Sequence, residues 1–179
     1  RLKLYGVRDE NIVLTGFPLP KELIGGPNAT ILKDLLTERI TNLDPQGIFS
    51  AGYRRTLQAE LGPKRCSKNV CSHPLTLTYS VGGAGAQRQL GLKILTSLKS
   101  KILQREIKLN LIAGVRKDMV DFYRQAVIDV GLKKLLGTWV CVPEFDSRQT
   151  YLSGFNEILK TTDILWTKPS ELSFYTGLG

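Results

Sequence analysis

At 179 residues the chain has room for one sizeable domain and little for two. Its 42% apolar and 23% charged residues exclude a disordered or fibrous chain, and no apolar run approaches the ~20 residues that span a bilayer. The 25 Lys and Arg against 16 Asp and Glu leave +9 at pH 7, which suits an anionic partner: nucleic acid, a phosphorylated small molecule or an acidic lipid surface.

The first third reads as irregular. Residues 11–15 predict a short strand, ended by Gly16 and the two prolines Pro18 and Pro20. Asn28 is the expected N-cap of a helix carrying Ile31, Leu32, Leu35, Leu36 and Ile40 at helical spacing. Residues 53–61 predict a second short helix, and residues 62–74 a basic loop. That loop holds Cys66, Cys71 and His73. Cys-x4-Cys-x-His offers three soft ligands where structural zinc wants four, so a solvent-facing linker is the expectation and no metal is assigned. His73 is the only histidine, which excludes a two-histidine acid–base pair. Three cysteines in a chain large enough to fold without staples, with no secretory leader visible at residues 1–6, point to a reducing, cytoplasmic setting.

From residue 75 the texture becomes a regular alternation. Strands are expected at 75–81, 107–113, 138–142 and 163–167. Helices are expected at 87–103, 119–130, 151–159 and from Ser170 onward. Strand–helix units at this spacing predict an α/β fold with a Rossmann-like parallel sheet covered on both faces. The expected organisation is an opening strand, helical segment and basic loop over 1–74, packed on a nucleotide-binding half over 75–179.

Two stretches carry chemistry. Gly82-Gly83-Ala84-Gly85-Ala86 lies between a buried strand and a helix, where glycines permit a sharp turn and the close approach of an anion to the helix N-terminus. It is not a Walker loop, since Gln87-Arg88 stands where Lys-Ser/Thr is required. It is a poor dinucleotide fingerprint as well: Arg88 replaces the small third residue, and residues 113–115 supply no acidic group for a ribose. The second stretch runs from Phe155 to Glu171. A strand ends there in Thr167-Lys168, and a helix follows with Pro169 and Glu171 in its first turn. Lys168 can neutralise phosphate, while Glu171 can accept from a ribose diol or simply complement the helix dipole. Both stretches follow strands, so they belong to one rim.

Taken together, these stretches resemble the nucleotide-binding C-terminal domain of GT-B glycosyltransferases, of the peptidoglycan-precursor N-acetylglucosaminyltransferase and monogalactosyldiacylglycerol synthase type. Residues 81–86 are similar to the family's glycine loop, and Gly154-Phe155-Asn156-Glu157-Ile158 and Thr162-Asp163-Ile164-Leu165 to its later segments. Ser170-Glu171 ahead of Gly177-Leu178 also fits, as does the opening segment 11–18. The resemblance implies a UDP-sugar-like donor as substrate and no separate cofactor, and no metal-binding residue is assigned. The implied substrate-binding set is Gly82, Gly83, Ala84, Gly85, Ala86, Gly114, Phe155, Asn156, Thr167, Lys168, Ser170 and Glu171. Phe155 would meet the base largely through its backbone, Glu171 the ribose, and the two loops the diphosphate. No catalytic residue is assigned. The resemblance further implies an acceptor domain before residue 1, more strand–helix units after residue 179, a hexosyltransferase as the whole enzyme, and a portion inactive by itself. A lipid acceptor or acidic membrane surface is the implied further partner, with peripheral membrane association.

The sequence departs from the family at Lys168-Pro169, which replaces a longer, glycine-bearing turn, and proline cannot donate to phosphate. That departure keeps open a non-catalytic Rossmann-like interaction module that has lost donor binding. A basic nucleic-acid-binding domain is the third reading, disfavoured because no aromatic–basic RNA motif or helix-turn-helix pattern is present.

Overall fold

The computed structural model describes residues 2–14, 19–67, 71–81, 87–167 and 171–178, with Glu171, Ser173 and Phe174 described by backbone alone. Its centre is a four-stranded, wholly parallel sheet made of β1 (Thr76–Ser80), β2 (Lys108–Ile112), β3 (Val140–Cys141) and β4 (Ile164–Thr167), in the order β3-β2-β1-β4. Helix α6 (Arg88–Leu103) joins β1 to β2, α7 (Lys117–Asp129) joins β2 to β3, and α8 (Arg148–Lys160) joins β3 to β4. Ahead of the sheet come α1 (Lys21–Ile24), α2 (Thr30–Leu43), α3 (Ile48–Gly52), α4 (Arg54–Leu61) and α5 (Pro63–Cys66). The fold is α/β and Rossmann-like, with helices on both faces of the sheet.

The chain steps outward from β1 through β2 to β3, then returns across the sheet to place β4 on the other side of β1. Parallel crossovers share one hand, so reversing direction moves the connecting helix to the opposite face. The packing follows this. Leu77 and Tyr79 of β1 and Leu109 and Leu111 of β2 meet Leu95 and Ile102 of α6 and Met119 and Tyr123 of α7. Ile112, on the other face, meets Phe155 and Leu159 of α8, Leu23 of α1, and Leu172, Tyr175 and Leu178 of a C-terminal 3-10 segment, Glu171–Leu178. Each fully buried Leu or Ile in these layers stabilises by about 1.5–3 kcal/mol.

The four expected strands and the helices between them are present, within three residues of the expected bounds. Helix α8 starts at Arg148 rather than 151 because of a capping box: the Thr150 N–H donates to Ser147 Oγ (3.1 Å) and the Ser147 N–H to Thr150 Oγ1 (3.0 Å).

The N-terminal third departs more. Residues 11–14 are not a strand. A 3-10 turn covers Asp9–Asn11, and Val13 and Leu14 are 78% and 98% exposed, with no ladder partner in the sheet; Thr15 lies outside the described residues. An apolar β-branched run favours an extended chain locally, but a strand needs a neighbour. Asn28 does not cap α2, which begins at Thr30. The Thr30 hydroxyl donates instead to the Gly25 carbonyl (2.9 Å), folding the helix start over a turn in which Gly25 and Gly26 have φ of 79° and 77°. The expected 62–74 loop contains α5, with Pro63 at its first helical position.

Candidate functional site

In an open parallel sheet, ligands collect outside the carboxyl ends of the strands, at the point where the strand order reverses. Here that point lies between β1 and β4. Ser80 pairs in register with Thr167, and Val81 N–H donates to the Ile112 carbonyl, continuing the ladder to the rim. The segments leaving Val81 and Thr167 therefore start side by side. Gly114, two residues beyond β2, turns the chain at the same rim with φ of 65°, and open space lies where a Cβ would project. Residues 82–86 and 168–170, which include Gly82, Gly83, Ala84, Gly85, Ala86, Lys168 and Ser170, lie outside the described residues, as does the side chain of Glu171.

The helix that opens on this rim is held from the sheet. Tyr79, 2% exposed on β1, donates its hydroxyl to the Gln87 carbonyl (3.0 Å), immediately before α6. Tyr123 of α7 donates to the Arg88 carbonyl at 3.4 Å, and burial pushes both phenols above their ordinary range. The first turn of α6 has no acidic residue, and the Arg88 guanidinium stands over the Phe122 ring at 5.1 Å. The positive end of a 16-residue helix thus opens toward the rim with no acidic residue in its own first turn.

Phe155 and Asn156 sit in the middle of α8. The Phe155 ring is fully buried, stacked on Tyr151 (5.6 Å) and edge-on to Tyr175 (5.4 Å). Asn156 Nδ2 donates to Glu22 Oε1 at 2.7 Å, one of the interactions that hold the Glu22 carboxylate below its ordinary range; Asn156 Oδ1 is buried without a partner among the described residues. Gly114 and Thr167 thus share the rim, to either side of β1, whereas the Phe155 ring and the Asn156 Nδ2 are engaged in the layer between sheet and helices.

The rim also holds a group the sequence reading passed over. Ser80 is 1% exposed, and its hydroxyl has no hydrogen-bond partner among the described residues. A buried unpaired hydroxyl costs about 1–3 kcal/mol and calls for an explanation. No sequence signal distinguished it from Thr76 and Thr78 on the same face.

At the opposite, amino-terminal end of the sheet, His73 overturns its expected place in a solvent-facing linker. Its side chain is 8% exposed, with Nδ1 3.7 Å from Asp163 Oδ2 and Nε2 3.5 Å from Glu38 Oε2. Asp163 Oδ2 accepts from the Thr76 N–H (2.8 Å), and both its oxygens accept from Asn42 Nδ2. Burial holds the Asp163 carboxyl above its ordinary range, against the pull of those donors. The cluster ties α2 to the first residues of β1 and β4, which is structural work far from the rim. Cys66, Cys71 and Cys141 are free thiols, and no group of three His, Cys, Asp or Glu suited to a metal occurs among the described residues. No helix among the described residues is long and apolar enough to cross a membrane.

Comparison with protein-family models, curated proteins and solved structures returns no match.

Proposed function

We propose that the chain is the nucleotide-diphospho-sugar-binding part of a glycosyltransferase. The observation that carries this reading is the strand order β3-β2-β1-β4, because it makes β1 and β4 neighbours. The glycine loop 82–86 and the turn 167–171 then leave adjacent strand ends at the one crevice where such sheets bind nucleotides. In this reading the loop and the N-terminus of α6 hold the diphosphate, Lys168 adds charge, and Glu171 accepts from the ribose hydroxyls. The positive end of α6, with no side-chain cap from Gln87, and the Ser80 hydroxyl, with no partner among the described residues, are consistent with an anionic, hydroxyl-rich ligand.

Isothermal titration with UDP, UDP-sugars and GDP-sugars tests the reading. Binding to at least one, weakened about tenfold or more by Glu171→Ala, is the expected result, since a lost charged hydrogen bond costs about 1.5–3 kcal/mol. Absence of binding to all of them would refute it. The non-catalytic module is the second reading. The observation favouring it is that the Phe155 ring and the Asn156 amide are already engaged within the protein.

A further inference from the structure

Away from the rim, helices α2, α3, α4 and α5 enclose a pocket of about 270 Å³. Its apolar wall is Ile40, Ala51, Leu57 and Leu61. The polar wall is best read by counting donors. Thr37 and Thr41 donate their hydroxyl hydrogens to the Lys33 and Thr37 carbonyls of α2 (2.7 and 2.8 Å), and Ser67 donates to the Pro63 carbonyl (3.1 Å). Arg65 is spent as well, with Nε on Asp34 Oδ1 at 2.7 Å and Nη1 on the Leu61 carbonyl at 3.2 Å. Arg54 at the first residue of α4 and Gln58 one turn later have no side-chain partner among the described residues, whereas the Ser50 hydroxyl is bonded to the Asp44 carboxylate. Among the described residues no carboxylate lines the pocket, and the one uncompensated charge there is the Arg54 guanidinium.

We propose that this pocket binds a small organic carboxylate with a short apolar body. The carboxylate would sit on the Arg54 fork, with Gln58 as a further donor, and the body would lie against Leu57 and Leu61. A single free cation among the described lining residues matches a monoanion and leaves a dianion half-neutralised. The volume lies below the ~300 Å³ at which drug-sized ligand pockets begin, which sets the ligand at the size of a short-chain acid. This site is independent of the donor reading, since no pocket-lining residue comes from the strand ends.

Cys66 lines the pocket and reports on it. The test uses the full chain with hexanoate, hexylamine and inorganic phosphate as probes. It follows amide shifts by NMR and alkylation of Cys66 by peptide mass mapping. Hexanoate should slow Cys66 alkylation and shift α3 and α4 amides in the millimolar range expected of so small a ligand. Arg54→Ala should weaken it about tenfold or more, while the neighbouring Arg55→Ala, outside the pocket, leaves it unchanged. Failure of hexanoate to protect at tens of millimolar would overturn the proposal. So would equal binding of hexylamine, binding of phosphate in place of hexanoate, or an unaltered response in Arg54→Ala.

Discussion

Arg39 is the charged residue whose removal should cost this protein most. It is 7% exposed on α2, and its guanidinium donates to the Thr162 carbonyl (2.9 Å), the Leu159 carbonyl (3.1 Å) and the Leu178 carbonyl. These acceptors lie at the end of α8 and in the C-terminal 3-10 segment, so one side chain pins the helical N-terminal segment to both. At about 1.5–3 kcal/mol each, three such bonds would sum to roughly 4.5–9 kcal/mol. Two effects reduce that. Burial already disfavours the charged guanidinium, pushing its pKa down. A 30 Å³ cavity beside it, lined also by Thr162 and Leu178, has room for a water to hydrate a freed carbonyl. The expected net loss for Arg39→Ala is therefore about 4 kcal/mol, within the range for breaking a buried charged contact. For a chain of this size it corresponds to a fall in Tm of about 8–16 °C. Arg39→Met keeps the methylene packing and loses only the bonds, so urea unfolding should place it near 2 kcal/mol, between wild type and alanine. If Arg39→Met unfolds within about 0.5 kcal/mol of wild type, the three bonds contribute nothing net and the reasoning fails. The Leu178 contact gives a second readout: loosening the segment that carries Glu171 should weaken UDP binding in Arg39→Ala, if the donor reading holds.

Gly91 in α6 faces the buried Tyr123 ring, and an added Cβ would lie 2.6–2.9 Å from it. Gly91→Ala gains about 1 kcal/mol of helix propensity but overpacks by about 1–3 kcal/mol, so chemical denaturation should show a net loss, partly recovered in a Tyr123→Val background. Asp163 has its carboxyl raised by burial, so the stability of wild type relative to Asp163→Asn is greatest below the unfolded value of about 3.9 and declines as pH rises through the folded one. A pH-independent difference between the two proteins over pH 3–7 would contradict that sign. Ser80→Ala removes a buried hydroxyl with no described partner and should raise the urea midpoint, by about 1 kcal/mol in stability. A loss of similar size would mean that the hydroxyl is bonded in the folded protein.

The α/β part was legible because its signals are local and redundant. Apolar runs of strand length alternate with apolar stripes at helical spacing, and the parallel sheet follows from that alternation. The N-terminal part was not, because its determinants are tertiary. A charged residue at position 39 defaults to the surface, and only the fold shows three carbonyls waiting for it. His73 likewise reads as linker until Glu38 and Asp163 are brought to either side of its ring. The pair Arg54-Arg55 reads as a solvated basic face, and nothing in the sequence separates the residue lining a pocket from the one outside it. At the candidate rim, the sequence supplied the glycine loop and the Thr167 turn. That the strands leading into them are neighbours required the strand order, which depends on long-range pairing.

The second face of β1 is polar and still buried. Thr76, Thr78 and Ser80 alternate with Leu77 and Tyr79, a pattern that ordinarily marks a solvated face, yet all five are buried. The polar face is buried because its groups pair laterally. Thr76 donates its hydroxyl to the Pro74 carbonyl (2.7 Å), Thr78 shares a hydrogen bond with Thr162 (2.7 Å), and Asn110 of β2 donates to Thr78 (3.0 Å). Each bond serves a hydroxyl that would otherwise be stranded under α8. The ladder runs from the amino-terminal end of the strand toward the rim and breaks at Ser80, the last residue of β1. A threonine ladder that served stability alone gains nothing by ending on an unpaired hydroxyl, where alanine or valine would pack at lower cost. The break falls at the one end of the strand where the topology of the sheet gathers ligands.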